Sequence, residues 1–149
     1  MKEIIEIKKT DLLDVVKLEK LCFPNDAYSQ AFIEEMMDDE KVIFVGYEDE
    51  SKLVAMAFLY NWQGEKDFIK LINMGVHPDY RNRGYAHRLV EWSIDLMKRQ
   101  DLYKVKAETR ASNKPMQRVF EKYGFDKVSE NENYYSDPVE NAYRYIFSV

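Results

Sequence analysis

The stretch Val76-His77-Pro78-Asp79-Tyr80-Arg81-Asn82-Arg83-Gly84-Tyr85-Ala86 constrains the fold more than any other part of the chain. Before it lies an apolar run, Phe68 to Val76, that reads as a central strand with Gly75 near its end. After it comes the clearest helical pattern in the sequence, with Ala86, Leu89, Val90, Ser93, Ile94 and Met97 at helical spacing. A buried strand feeding an amphipathic helix through a glycine turn requires a sheet with a helix packed on it. The helix start presents unbonded backbone N–H groups and the positive end of its dipole, a ready site for phosphate. Gly84 lets a pyrophosphate approach the backbone closely, Ala86 is the next smallest residue, and Arg81 and Arg83 add positive charge. Alone, the turn fits better a plain helix start with a glycine and two solvated arginines. It has neither the Gly-x-Gly-x-x-Gly of dinucleotide folds nor the Gly-Lys-Ser/Thr of nucleotide P-loops.

The rest of the chain supplies the other elements. Ile5 and Ile7 alternate with Glu6 and Lys8 as a first strand, and Thr10-Asp11 caps a helix carrying Leu12, Val15, Val16 and Leu18. Phe23-Pro24-Asn25-Asp26 breaks it, and Ser29 caps a short second helix. Val42 to Tyr47 and Leu53 to Tyr60 form a hairpin. Tyr103 to Glu108 is the next strand. Asn113-Lys114-Pro115 opens a helix, with Pro115 at its first position, that Gly124 ends. Phe125 to Ser129 and Tyr143 to Phe147 close the chain as strands. The expected fold is α+β: a mixed, mostly antiparallel sheet of six to seven strands with a central parallel pair and helices on both faces. With no linker, repeat or low-complexity stretch, residues 1–149 read as one domain.

A net charge of −5 leaves no basic face for nucleic acid. Cys22 is the only cysteine, which suits a reducing compartment, and the absence of a signal-like or membrane-length apolar run makes the cytoplasm the expected location. Neither His77 nor His87 has a partner at metal-ligand spacing, so no metal is expected.

Two blocks carry a resemblance. The spacing Val76-x-Pro78-x-Tyr80-Arg81-x-x-Gly84-x-Ala86 resembles the coenzyme A signature of the GNAT N-acetyltransferase superfamily. Glu108-Thr109-Arg110-Ala111-Ser112-Asn113-Lys114-Pro115 through Phe120-Glu121-Lys122-Tyr123-Gly124-Phe125 resembles that superfamily's later motif. Within it the chain is most similar to bacterial ribosomal-protein N-terminal alanine acetyltransferases, through Phe23-Pro24, Glu108-x-Arg110-Ala111-Ser112-Asn113 and Asn133-Tyr134-Tyr135.

The resemblance implies acetyl-CoA as cosubstrate. It assigns the pyrophosphate to Arg81, Asn82, Arg83, Gly84, Tyr85, Ala86 and His87, and the pantetheine arm to the backbone of Met74, Gly75 and Val76. It implies a bulge that splays two parallel strands, for which Gly75 is the expected residue, and a coenzyme contact from Asn113. It proposes Phe23, Pro24, Tyr28, Tyr134 and Tyr135 as an aromatic pocket for the acceptor. An amine attacks only when neutral, so a base is needed, and Glu108 occupies the family's base position. The alternative for Glu108 is a surface carboxylate paired with Arg110 or a lysine. A tyrosine usually protonates the departing thiolate. Here Phe120 stands at that place along the coenzyme, which leaves Tyr123, three residues on, or Tyr135 as candidates.

The leading expectation is transfer of acetyl from acetyl-CoA to a protein or peptide N-terminal amine, by a monomer or homodimer with no nucleic-acid or membrane partner. The alternatives are a small-amine acetyltransferase, for a polyamine, amino acid or aminoglycoside, and a coenzyme-A-binding module with weak catalysis, which the loss of tyrosine at Phe120 favours.

Overall fold

A computed structural model describes residues 3–135 and 139–149. The strands are β1 (Ile5–Glu6), β2 (Val42–Asp49), β3 (Lys52–Tyr60), β4 (Phe68–Val76), β5 (Lys104–Arg110), β6 (Asp126–Tyr135) and β7 (Glu140–Ser148). The helices are α1 (Leu12–Cys22), α2 (Gln30–Met37), α3 (Tyr85–Arg99) and α4 (Lys114–Lys122). The strands form one sheet in the order β1-β2-β3-β4-β5-β7-β6. Only β4 and β5 run parallel; every other neighbouring pair is antiparallel. The mixed sheet with its central parallel pair is the expected architecture.

Alternation along β3 splits the core in two. Ala57 and Leu59 face Leu89, Val90 and Met97 of α3 and Phe120 of α4. Met56 and Phe58 face Val15, Val16 and Leu18 of α1 and Ile33 and Met36 of α2. A period of two in the strands meets helical stripes on either side, so helices cover both faces. No helix among the described residues is long and apolar enough to cross a membrane.

Local chemistry explains most boundaries. Ser29 Oγ accepts from the Phe32 amide at 3.1 Å and starts α2. Asn113 Oδ1 accepts from the Met116 amide at 3.2 Å and starts α4, with Pro115 at the second position rather than the first. Gly124 takes φ +85° after α4. The β2–β3 turn holds Glu50 and Ser51 at φ 49° and 66°, the backbone twist a two-residue hairpin needs.

The start of α1 differs from the expected Thr10-Asp11 cap. A single 3₁₀ turn, Lys9–Asp11, precedes the helix, and the Asp11 carboxylate turns back to accept from the Lys8 amide at 3.0 Å. The last two strands are also longer than expected. β6 is an edge strand exposed at nearly every residue, so it has no apolar alternation to read, and backbone pairing with β7 defines it.

Candidate active site

The site begins where β4 and β5 part. Their parallel ladder runs from Phe68 beside Lys104 to Leu71 beside Ala107 and ends there. β4 continues to Val76 along β3 alone, and β5 continues to Arg110 along β7 alone. Past Leu71, the β5-facing edge of β4 therefore carries backbone groups with no ladder partner. The register of β4 against β3 slips at the same point: Phe58 faces Asn73 while Leu59 faces Leu71. Ile72 is the extra residue.

The expected bulge at Gly75 is thus corrected to Ile72. Gly75 sits in register opposite Met56. It is glycine because α1 ends against it: a Cβ there would lie 2.9 Å from Cys22 Sγ and 3.4 Å from Phe23 Cε2. The bulge flips the alternation of β4. Ile69 and Leu71 face α3 and α4, Ile72 packs in the α1–α2 cluster, and Asn73 also turns to α1, where it bonds Glu19. Met74 and Val76 then return to the α3 side.

The glycine turn leaves backbone amides free at the start of α3. Gly84 caps α3 in the left-handed region at φ +90°, and Asn82 also has positive φ, at 62°. The first helical bond runs from the Arg88 amide to the Gly84 carbonyl at 3.1 Å. The N–H groups of Tyr85, Ala86 and His87 therefore point out of the helix start. Tyr85 contributes only backbone, because its ring is buried against Tyr47. Arg81 Nε donates to the Val76 carbonyl at 3.2 Å, and Arg83 lies 4.7 Å over the Tyr80 ring. His87 places a buried Nδ1 in this first turn with no hydrogen-bond partner among the described residues, and its ring lies 5.6 Å from that of Tyr123. An orphaned polar atom beside free amides fits a polar anionic ligand arriving from outside the chain.

Glu108 follows the last ladder residue of β5. Its carboxylate pairs with Arg144 Nε at 3.5 Å and Lys70 Nζ at 4.0 Å, and its charge raises the pKa of the neighbouring Tyr134 hydroxyl. The paired alternative therefore holds in part, with Arg144 and Lys70 as partners. Arg110 is committed elsewhere. Tyr28, Tyr134 and Tyr135 gather around Glu108. Burial first, then the neighbouring Tyr134 hydroxyl, pushes the Tyr28 phenol up to about 12. Burial and Glu108 push Tyr135 up as well. The rings of Tyr134 and Tyr135 lie 5.1 Å apart.

Arg110 ties this wall together. Its Nη2 and Nε hold Asp26 Oδ2 at 2.8 and 3.1 Å, its Nη1 lies 3.7 Å from Glu140, and its guanidinium sits 4.4 Å over Tyr135. Asp26 anchors the segment after α1, and Phe23 and Tyr28 of that segment lie beside the parting strands. Phe23 closes on Gly75 and Pro24 is exposed at the surface.

Two expectations change, for Phe120 and Tyr123, while the coenzyme contact expected of Asn113 stays open. Phe120 is core, 2% exposed and packed on Phe125 and Tyr145, so its ring offers no face to the coenzyme. Tyr123 is not turned to the gap: its hydroxyl donates to Glu91 of α3 at 2.7 Å, and burial with that carboxylate raises it to about 12. Asn113 spends its Oδ1 on capping α4. Burial holds the Cys22 thiol up at about 11, which removes it as a nucleophile at neutral pH.

Sequence reading missed Glu19, Asp26, Lys70, Asn73 and Arg144. Only Glu19 left a signal. It falls three and four residues after Val16 and Val15, so it lies on the apolar stripe of α1, where a charge demands explanation.

Relatives agree with this geometry. The chain is 28% identical over 142 residues to an N-alpha-acetyltransferase of Saccharolobus solfataricus, covering 89% of this chain and 84% of that one. It is 26% identical over 98 residues to the [ribosomal protein bS18]-alanine N-acetyltransferase of Haemophilus ducreyi, covering 66% of each. The crystal structure of the ribosomal-protein-S18-alanine N-acetyltransferase from Escherichia coli shares the fold at a TM-score of 0.89 and 24% identity, covering 100% of this chain and 94% of that one. The acetyltransferase (GNAT) family matches residues 12–125. With the parted parallel strands and the glycine turn in place, the chain belongs to that family and is an N-acetyltransferase.

Proposed function

We propose that residues 1–149 act as one cytoplasmic domain that transfers acetyl from acetyl-CoA to the N-terminal amine of a protein or peptide. The observation that carries this reading is Glu108 at the mouth of the β4–β5 gap, faced by Tyr28, Tyr134 and Tyr135. The relatives named above, which act on protein N-termini by name, support the acceptor class.

The coenzyme supplies an acetyl thioester. The N–H groups at the start of α3 and the positive end of its dipole suit the pyrophosphate, with Arg81 and Arg83 adding charge. The unpaired edge of β4 from Ile72 to Val76 suits an extended amide-bearing arm. A backbone N–H on that edge stabilises negative charge on the carbonyl oxygen under attack. Glu108 takes the proton that the acceptor ammonium must lose, directly or through one water. Lys70 and Arg144 keep the carboxylate oriented between turnovers. The tyrosine wall and Phe23 flank the acceptor's first residue. The thiolate leaves as an anion and takes up, directly or through water, the second proton, which the attacking nitrogen loses as the amide forms.

Thiol release measured over a panel of peptides beginning with alanine, serine or methionine and a panel of small amines tests the reading. Peptides should turn over and small amines should not. No peptide turnover rejects the N-terminal acceptor. Glu108→Gln should lower kcat/KM by about 100-fold while leaving acetyl-CoA affinity unchanged; an unaltered rate removes Glu108 as the base.

A further inference from the structure

Among the described residues, Glu19 is the one buried carboxylate that acetyl transfer, as derived above, leaves without a task. It is 1% exposed on the inner face of α1. Its Oε2 accepts from the Tyr28 amide at 3.0 Å, and its Oε1 accepts from Asn73 Nδ2 at 2.6 Å. Both bonds join distant parts of the site. Tyr28 belongs to the acceptor wall, and Asn73 follows the bulge residue of β4. Burial, with a smaller push from Asp26, raises the Glu19 pKa, and the two hydrogen bonds offset only part of that. A charge kept in such a place with no ion-pair partner among the described residues is costly to the fold. That cost points to function.

We propose that Glu19 is a positioning residue for acetyl transfer: one carboxylate pins the acceptor wall at Tyr28 and the bulged strand at Asn73, so that both sides of the gap are held as one unit. The inference rests on the acetyl-transfer reading and deepens it. A carboxylate can only accept, so it fixes which way the Asn73 amide faces, with Nδ2 toward α1 and Oδ1 away. The bulge at Ile72 is what turns Asn73 to α1 at all, since regular alternation would send it toward α3. The Glu19–Asn73 bond therefore holds β4 in the flipped register that opens the gap. The Tyr28 bond sets how far the acceptor wall stands from it.

Glu19→Gln separates this role from simple packing. Glutamine keeps the shape and can still accept from the Tyr28 amide, but it then turns its own NH2 toward Asn73, which must reverse its amide. Removal of the buried charge should leave the melting temperature equal or higher. Acetyl-CoA affinity should fall less than the peptide kcat/KM, because the amides at the start of α3 are untouched. The acceptor-peptide kcat/KM should fall about tenfold or more, as misplacement of a reacting group does. Asn73→Ala should give a similar loss, and the double variant should be no worse than the more damaged single, since both cut one tether. An unchanged kcat/KM in Glu19→Gln overturns the proposal. So does a loss that tracks a lower melting temperature and equally weakened coenzyme binding, because that is a packing defect. If the unaltered protein acetylates no peptide, the acetyl-transfer reading fails first and this inference falls with it; turnover in the unaltered protein with an equal rate in Glu19→Gln sinks this inference alone.

Discussion

The two faces of the sheet build their halves of the site by different means. On the α3 face the grip is made of backbone: a left-handed Gly84, the free amides of Tyr85 to His87, and the open edge of β4. On the α1 face it is made of side chains that reach across the chain. Arg110 holds Asp26 from 84 residues away, and Asn73 holds Glu19 from 54 away. A backbone grip needs few particular side chains and tolerates drift around it. A side-chain grip fails when one partner changes. On the function proposed above, the α3 face is the coenzyme half and the α1 face the acceptor half, and the two should respond differently to substitution.

The largest expected effect breaks the backbone grip. Gly84→Val places a β-branched residue at φ +90°, a conformation such residues avoid. Relief of about 1–2 kcal/mol of left-handed strain, by rebuilding the turn, should weaken acetyl-CoA binding about 5- to 30-fold. Calorimetric titration with acetyl-CoA reads this directly. The acceptor KM at saturating coenzyme should not move. If it rises in step, the two halves are not separable.

A smaller effect breaks the side-chain grip. Arg110→Ala leaves Asp26 and Glu140 without their shared cation and takes the guanidinium off Tyr135. The loss of a half-buried, charged hydrogen-bond partner should cost about 1–3 kcal/mol of stability. With the acceptor wall loosened, the peptide KM should rise about fivefold to tenfold, on the scale of about 1 kcal/mol or more. Acetyl-CoA affinity should hold. A peptide KM that stays put would show that the wall stands without its tie.

This contrast also explains what was legible in the sequence. The turn at Arg81 to Ala86, the caps at Ser29 and Asn113 and the parallel pair could be read because local chemistry dictates them: a cap or a left-handed turn is decided within about four residues. The bulge could not. Gly75 looked like the irregular residue, yet its missing side chain makes room for Cys22, and the extra residue is Ile72, which looks like any other strand residue. Aromatic candidates for the acceptor wall could be named from Phe23-Pro24 and Tyr134-Tyr135. The ties that place them, Asp26 to Arg110 and Glu19 to Asn73, join segments far apart in the chain, and no local pattern announces them. The long β6 escaped for the opposite reason: it has almost no buried face, so hydrophobic periodicity had nothing to mark.

The smallest expected effect sharpens the boundary between the halves. Tyr123 caps the end of α4, on the α3 side of the sheet, and is the obvious stand-in for a proton donor once Phe120 is set aside. Its hydroxyl is instead committed to Glu91 on α3. Tyr123→Phe removes one hydrogen bond, worth about 0.5–1.5 kcal/mol, and the melting temperature should fall slightly. The turnover number should stay within about twofold, whereas loss of a true general acid costs about 100-fold or more. A steady-state assay at saturating acetyl-CoA and peptide decides between them. Were turnover to collapse, Tyr123 would have to leave Glu91 and swing toward the gap when the substrates bind. The coenzyme face would then hold a moving catalytic group and not only a fixed backbone cradle.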